Sequence, residues 1–405
     1  MTDTVHTTRW GILATGWMAS VFVKDLLSDP AVRGVTDVRH EVVAVASSTS
    51  TDRAQKFIDE HGQMIKTTAK AYGSYADLVA DPNVDIVYVA TPHSHHYQNA
   101  LLALKAGKPV LVEKAFTTNA AQARELVEEA NAANLFLMEA LWTRFFPLAA
   151  EVREAVASGV IGAVQRVTAD SSFGENVEAL WGTQNRIINL DLAGGALLDL
   201  GVYALAWVFQ ILYHLQPSPR QPPTVASSVI KYPSTGADEQ TVVLLTFPVG
   251  PAVDSKSEGQ NNSTQGIATC GIRAGMDPDQ KGTAGAPIRI QGTHGEIQVF
   301  GPTFRPTKYR LIPKLDTNTG KPVGPLSEVK DVEHVIPGPG ERNGGHGMYW
   351  EADEAARCLR DGKQQSATMD WEETIVIMDI MDSVRKQHNI KYPNSIETTD
   401  YPVAL

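Results

Sequence analysis

Two cysteines, Cys270 and Cys358, are all that these 405 residues carry. They cannot build a disulfide framework, and neither belongs to a C-x-x-C pair, so both read as ordinary thiols. Positive charge is also scarce: 35 Lys and Arg against 46 Asp and Glu leave a net charge of -11. That balance excludes the footprint expected of a nucleic-acid binder or of a protein held on an anionic membrane. The amino terminus lacks the basic and apolar blocks of a secretory signal, and Pro402-Val403-Ala404-Leu405 is no retention address. The expectation is a cytoplasmic chain. Long hydrophobic runs are limited to Ala196 to Leu215, which is interrupted by Asp199, Gln210 and His214 and has no basic flank. It reads as a buried helix rather than a membrane span. No internal repeat is visible. What is present is ordinary for a globular protein, 43% hydrophobic and 20% charged, at a length that favours two domains.

From Arg9 to about Met138, short β-type runs alternate with helical stretches, the pattern of a doubly wound parallel sheet. The runs are Trp10 to Ala14, Val42 to Ser47, Ile86 to Ala90, Val110 to Glu113 and Phe136 to Met138. Helices are predicted over Trp17 to Ser28, Thr51 to Glu60, Tyr97 to Ala106 and Ala120 to Asn134. After Phe145-Phe146-Pro147 longer β-type runs appear: Gln165 to Ala169, Val225 to Lys231, Thr241 to Phe247, Ile288 to Gln291 and Ile297 to Phe300. With the apolar helix, and two more over 348–359 and 371–387, they suggest an α+β domain on a mostly antiparallel open sheet. The division expected is 1–145 for a Rossmann domain and 146–405 for a second domain. The Gly-, Ser- and Asn-rich stretch 250–287 reads as a surface insertion.

The first β-run ends in Ala14-Thr15-Gly16-Trp17-Met18-Ala19, a tight turn before a helix and the place of a dinucleotide fingerprint. The motif is partial: Ala14 and Ala19 stand for glycines, while Gly16, where a diphosphate approaches the backbone, is kept. The second run ends in Ser47-Ser48-Thr49-Ser50-Thr51-Asp52-Arg53 rather than in an acidic residue. Hydroxyls with a nearby arginine suit a 2'-phosphate, so Ser47, Ser48 and Arg53 point to NADP. Thr91-Pro92-His93-Ser94-His95-His96 follows the Ile86 to Ala90 run at the ligand-binding edge of such a sheet. With no Cys/His cluster elsewhere to converge on, no metal is expected there. Thr91, Pro92, His93 and His96 are instead candidates for helix capping and for the nicotinamide side of a cofactor. Glu113-Lys114 ends the next run at the same edge.

In the second half, Asp199 and Tyr203 lie one helical turn apart in the greasy run and share a face. A polar pair in such surroundings must be hydrogen-bonded or catalytic. Phe173, Trp181 and Arg186 are candidates for a pocket that takes a ring-shaped substrate, and Arg186 reads equally as a structural ion pair.

With these motifs assembled, the chain resembles the Gfo/Idh/MocA oxidoreductases, and within them the fungal-type NADP-dependent D-xylose 1-dehydrogenases and the dimeric dihydrodiol dehydrogenases. The resemblance runs through Trp10 to Gly16, Ala90 to His96, Glu113-Lys114-Ala115, Met138 to Arg144, Ala193 to Tyr203 and His346 to Glu354. Many family members have Pro after Glu-Lys where Ala115 stands here. The resemblance implies a Rossmann domain joined to a domain whose open sheet often forms a homodimer. It implies Tyr203 as acid/base beside Lys114, Asp199 orienting the sugar or Lys114, and Trp142 and Arg144 near the nicotinamide end. The expected reaction is oxidation of the anomeric hydroxyl of an aldopyranose, D-xylose before others, to the 1,5-lactone. Dihydrodiol oxidation, or a regulatory protein that keeps the fold without the reaction, are the alternatives.

Overall fold

A computed structural model describes residues 5–65, 68–251, 263–338 and 345–405. The chain divides into two compact units, one of residues 1–145, 335–378 and 393–405, the other of 146–334 and 379–392.

The first unit holds strands β1 (His6–Leu13), β2 (Val38–Ala46), β3 (Lys70–Tyr72), β4 (Ile86–Val89), β5 (Val110–Glu113) and β6 (Leu137–Ala140). They form one sheet in the order β3-β2-β1-β4-β5-β6, with every adjacent pair parallel. Every residue of β4, β5 and β6 is buried, which explains their unbroken apolar runs: a strand covered on both faces has no side to keep polar. The order reverses between β1 and β4, and such a switch point opens a crevice at the carboxyl ends of the strands. Around the sheet lie α1 (Trp17–Leu26), α2 (Thr51–Glu60), α3 (Tyr75–Val79), α4 (His93–Lys105) and α5 (Ala120–Ala132). Helix α2 buries Ala54, Phe57 and Ile58, the spacing of one helical face, and the Ser50 hydroxyl caps it by accepting the Arg53 N–H at 3.2 Å. Helix α4 starts four residues before the expected Tyr97, so the histidines occupy its first turn.

The second unit contains α6 (Pro147–Ala157), β7 (Val164–Ser172), α7 (Val177–Trp181), α8 (Val202–Leu212), β8 (Thr224–Lys231), β9 (Asp238–Phe247), β10 (Thr264–Gly271), β11 (Ile288–Gly292), β12 (Gly295–Phe300), β13 (Lys308–Pro313) and β14 (Lys330–Glu333). Its sheet runs β14-β13-β12-β11-β7-β10-β9-β8. Only β7 and β10 pair in parallel among the described strands; the other neighbours are antiparallel. Every residue of α8 is buried. The stretch Leu190–Leu212 is long and apolar enough to cross a membrane, yet 89% of an apolar 18-residue window within it is buried inside the protein, so it serves as a core helix of this unit. On β9, Val242 and Leu244 point outward and stay exposed, leaving one face of the sheet open.

Two expectations need correction. Residues 264–271, read as part of an insertion, form β10 between β7 and β9; 252–262 lie outside the described residues. Thr, Gly and Ala dilute the apolar alternation of β10, and its pairing with two neighbours supplies what its composition does not. The second correction concerns the carboxyl-terminal part. Residues 335–378, with α9 (Tyr349–Arg360) and the first turns of α10 (Trp371–Gln387), and 393–405, with α11 (Asn394–Glu397), belong to the first unit.

The physical reason is a buried polar anchor. Arg33 makes a two-pronged bond to Asp353 of α9, 2.9 Å at each prong, with both side chains about 1% exposed. The Trp10 indole N–H donates to His40 Nδ1 at 3.1 Å, so the Nε2 of His40 carries the proton and donates to Asp353 at 3.0 Å. Burial holds the His40 pKa below its ordinary value, in keeping with a neutral ring. The final segment is tied down likewise: the Tyr97 hydroxyl donates to the Thr399 carbonyl, and the Gln122 amide donates to the carbonyls of Ile396 and Thr398.

Candidate functional site

In the first unit the β1–α1 turn has the form a diphosphate requires. Ala14, standing where the fingerprint has its first glycine, takes a left-handed backbone with φ 84°. For an L-residue that conformation costs about 1–2 kcal/mol, a local strain that is common where a ligand is held. No side chain caps the start of α1, and a Cβ built on Gly16 would meet nothing within 4 Å. With no side chain on its first N–H groups and open space beside Gly16, this cradle fits a dinucleotide diphosphate. Thr15 and Met18 are half-buried, while Trp17 is 69% exposed beside the turn.

At the end of β2, Ser47 is buried and its hydroxyl engages that of Thr49 at 3.0 Å, and it also accepts the Thr49 N–H. Ser47 is thus committed to its own loop, which leaves Ser48 and the exposed Arg53 as the candidates for a 2'-phosphate.

The histidines after β4 have other roles than a cofactor contact alone would give them. His96 is 1% exposed, with Nδ1 2.8 Å from the Ala115 carbonyl and Nε2 2.8 Å from the Thr91 carbonyl. Burial pushes its pKa down to about 4 against those two carbonyls, so the ring is neutral and one nitrogen donates. It ties the β4 edge to the segment after Lys114, a positioning role that its two carbonyl partners give it. His93, buried, packs edge-on against His96 at 5.5 Å. The Thr91 hydroxyl accepts from Asn99 at 3.2 Å, and Pro92, exposed, precedes the helix.

Glu113 at the end of β5 accepts from the Tyr88 hydroxyl and, at 3.2 Å, from the Lys114 N–H. Lys114 therefore leaves the strand from a fixed carboxylate. The Lys114–Ala115 peptide is cis. Arg144 is held internally as well. Its guanidinium is wholly buried, donating to Glu373 at 2.9 Å and to the Thr368 carbonyl at 2.9 Å, so it clamps the Trp142–Phe145 turn to α10. Trp142 is 3% exposed.

In the second unit, Leu197–Gly201 form a π-helical turn that runs directly into α8. Such wide turns recur at functional sites. Asp199 lies in this turn and Tyr203 just after it, buried to 7% and 5% exposure. The Arg186 guanidinium meets the Asp199 carboxylate at 3.2 Å, so of the two readings of Arg186 the ion pair is present. Tyr203 packs against Phe304 with ring centroids 5.8 Å apart. The turn is anchored from behind by Asp238, whose carboxylate accepts the Leu197 N–H at 2.6 Å and the Thr241 hydroxyl at 3.2 Å. Only glycine suits position 195, where φ is +139° and a Cβ would fall 1.9 Å from that carboxylate. Phe173 and Trp181, 43% and 50% exposed, stack with centroids 6.4 Å apart and present an open aromatic surface.

Sequence reasoning missed Glu139, Glu351 and Asp25, three buried acids of the first unit. Glu139 accepts from the Phe116 N–H at 3.1 Å and the Thr374 hydroxyl at 3.3 Å, and burial raises its pKa to about 7. Burial likewise pushes Glu351 well above the carboxylate range. The signal available was an acid inside an apolar stretch, as at Leu137-Met138-Glu139-Ala140-Leu141.

The Gfo/Idh/MocA oxidoreductase family, with its NAD-binding Rossmann fold, matches residues 8–141, and the Gfo/Idh/MocA C-terminal domain matches 149–298. A D-xylose 1-dehydrogenase (NADP+) from Hypocrea jecorina is 54% identical over 98% of this chain and 96% of its own. A trans-1,2-dihydrobenzene-1,2-diol dehydrogenase from Bos taurus is 33% identical over 95% of this chain and 98% of its own. Among solved structures, levoglucosan dehydrogenase in complex with NADH superposes with a TM-score of 0.74 at 15% identity, covering 95% of this chain and 97% of that one, a likeness of fold.

Proposed function

The chain belongs to the Gfo/Idh/MocA oxidoreductase family and is an NADP-dependent, sugar-oxidising enzyme; we propose that its reaction is the oxidation of D-xylose at C1 to D-xylono-1,5-lactone. The 54% identity with the Hypocrea jecorina enzyme, over 98% of this chain and so across both units, is what supports D-xylose as the substrate.

When bound, NADP accepts the hydride that leaves C1. The protein's part is to remove the hydroxyl proton as the C1–O bond becomes a carbonyl. Tyr203 takes that proton as phenolate. A phenol near its reference pKa of ~10 is a weak base at neutral pH, so an adjacent ammonium must favour the phenolate, and Lys114 is assigned that role. Asp199, fixed by Arg186, accepts from a sugar hydroxyl and orients the ring. The stacked Phe173 and Trp181 supply an apolar platform of the kind pyranose rings lie against. What supports the acid/base assignment is the placing of a nearly buried Asp/Tyr pair at a π-helical turn, a form that recurs at functional sites.

Pairing of two copies through the open sheet face is part of the proposal, supported by the exposed Ile230, Val242 and Leu244 on β8 and β9. The deciding experiment measures initial rates with NADP and NAD against pentoses, hexoses and trans-dihydrodiols. D-Xylose with NADP should give the highest kcat/KM. A dihydrodiol preference would move the protein to the sister activity, and inactivity on all of them would leave a regulatory role.

A further inference from the structure

His346 lies outside every motif so far given a role. Its ring stands between two indoles, 6.1 Å from Trp17 at an interplanar angle of 85° and 6.0 Å from Trp142 at 50°. Trp17 opens α1 immediately after Gly16, and Trp142 follows the end of β6. The imidazole therefore bridges two points on the carboxyl edge of the parallel sheet, one at the diphosphate turn and one farther along.

The segment carrying it is moored with care. Asp25, in the last turn of α1 and 2% exposed, accepts the His346 N–H at 3.1 Å on Oδ1 and the Met348 N–H at 2.9 Å on Oδ2. A Cβ at position 345 would fall 2.3 Å from Asp25 Oδ1, so glycine is what lets the strap close on this carboxylate. Downstream, the Tyr349 hydroxyl donates to the Pro337 carbonyl at 2.6 Å, and the Arg33 guanidinium lies over the Tyr349 ring at 4.6 Å. A buried carboxylate and two backbone bonds fix the main chain, while the His346 ring itself remains only half-buried among the indoles. A ring so placed fills no core and presents part of its surface at the diphosphate turn.

We infer that His346 is a binding residue for the nicotinamide half of the dinucleotide, donating an imidazole N–H to the diphosphate–ribose link while Trp17 and Trp142 fix the ring. The inference rests on the NADP reading above. Dinucleotides cross the carboxyl edge of such sheets with the diphosphate at the first βα turn and the nicotinamide beyond it, which is the interval that His346 spans.

The test is a binding titration, followed by transfer of tryptophan fluorescence to the reduced nicotinamide and by calorimetry. The ligands are NADPH and adenosine 2',5'-bisphosphate, which lacks the diphosphate bridge and the nicotinamide half. His346→Ala should weaken NADPH ~10-fold, the loss expected for one hydrogen bond to a charged group, and leave the bisphosphate unchanged. His346→Asn, closer in shape and still a donor, should lie between. Equal weakening of both ligands, or unchanged NADPH affinity in both variants, overturns the assignment. If the unsubstituted protein binds the bisphosphate and NADPH not at all, the cofactor reading itself fails, which separates the two outcomes.

Discussion

The Arg186 guanidinium stands 3.2 Å from the Asp199 carboxylate, with the arginine side chain half exposed and the aspartate 10% exposed. With its arginine half exposed, the pair contributes only ~0–1 kcal/mol to stability, and the role proposed for it is to aim Asp199 at the sugar. Arg186→Gln is expected to leave Tm nearly unchanged and to raise KM for the sugar ~3- to 10-fold with a smaller effect on kcat. Steady-state kinetics beside a melting curve checks this. A lower Tm with an unchanged KM would make the pair structural.

Tyr203→Phe keeps the ring against Phe304 and removes only the hydroxyl. Turnover should fall ~100-fold or more, while Tm and NADP affinity hold. Lys114→Met should lower the plateau and move the basic-going limb of the kcat profile to higher pH. A limb that stays in place, with KM raised, would reduce Lys114 to a sugar contact.

Arg53 is exposed on the first turn of α2, and Ser47 is turned inward on Thr49, so Arg53 is the charged group left to read a 2'-phosphate. Arg53→Ala should weaken NADP by ~1.5 to 3 kcal/mol and NAD hardly at all. Dissociation constants for both cofactors decide it; equal losses would remove Arg53 from the phosphate site.

Glu139 should make stability depend on pH. Its pKa is raised to about 7 in the fold, chiefly by burial, and lies near ~4.3 when unfolded. Between those values the folded state binds the extra proton, so stability falls as pH rises through this window, by at most ~1.4 kcal/mol per pH unit, and levels off above it. Glu139→Gln should flatten this part of the curve in urea titrations taken across the window. An unaltered slope would mean that the acid is charged in the fold.

Asp353 holds Arg33 and His40 at once in the interior of the first unit. Asp353→Ala leaves a buried guanidinium without its partner, and a loss of about 3–5 kcal/mol is expected. Chemical denaturation reads the loss. A change below 1 kcal/mol, on the ~0–1 kcal/mol scale of exposed pairs, would show that solvent reaches the site.

Much of the first sheet was legible because its signals are local. Thr51–Glu60, Val110–Glu113 and Trp371–Gln387 begin and end where capping residues and apolar periodicity place them. The same holds for the partial fingerprint at Ala14 and Gly16, and for the Asp199/Tyr203 pair, since these depend on spacing within a few residues. The NADP preference came from what is missing at the end of β2.

Long-range contacts decided the rest. Strand β10 has too diluted an alternation to stand out, and becomes a strand because β7 and β9 flank it. Helix α9 carries no mark of its unit; the Arg33–Asp353 bond, 320 residues apart in the chain, assigns it. His96 and Arg144 look like site residues in the sequence, and only the fold shows the carbonyls of Thr91 and Ala115, and the carboxylate of Glu373, that hold them. His346 stands in a segment that the family resemblance covers but carries no role in the sequence, and only the fold brings Trp17, Trp142 and Asp25 to meet it. Backbone geometry and periodicity are written in adjacent residues, whereas the partner of a buried polar group is chosen by the packing of distant ones.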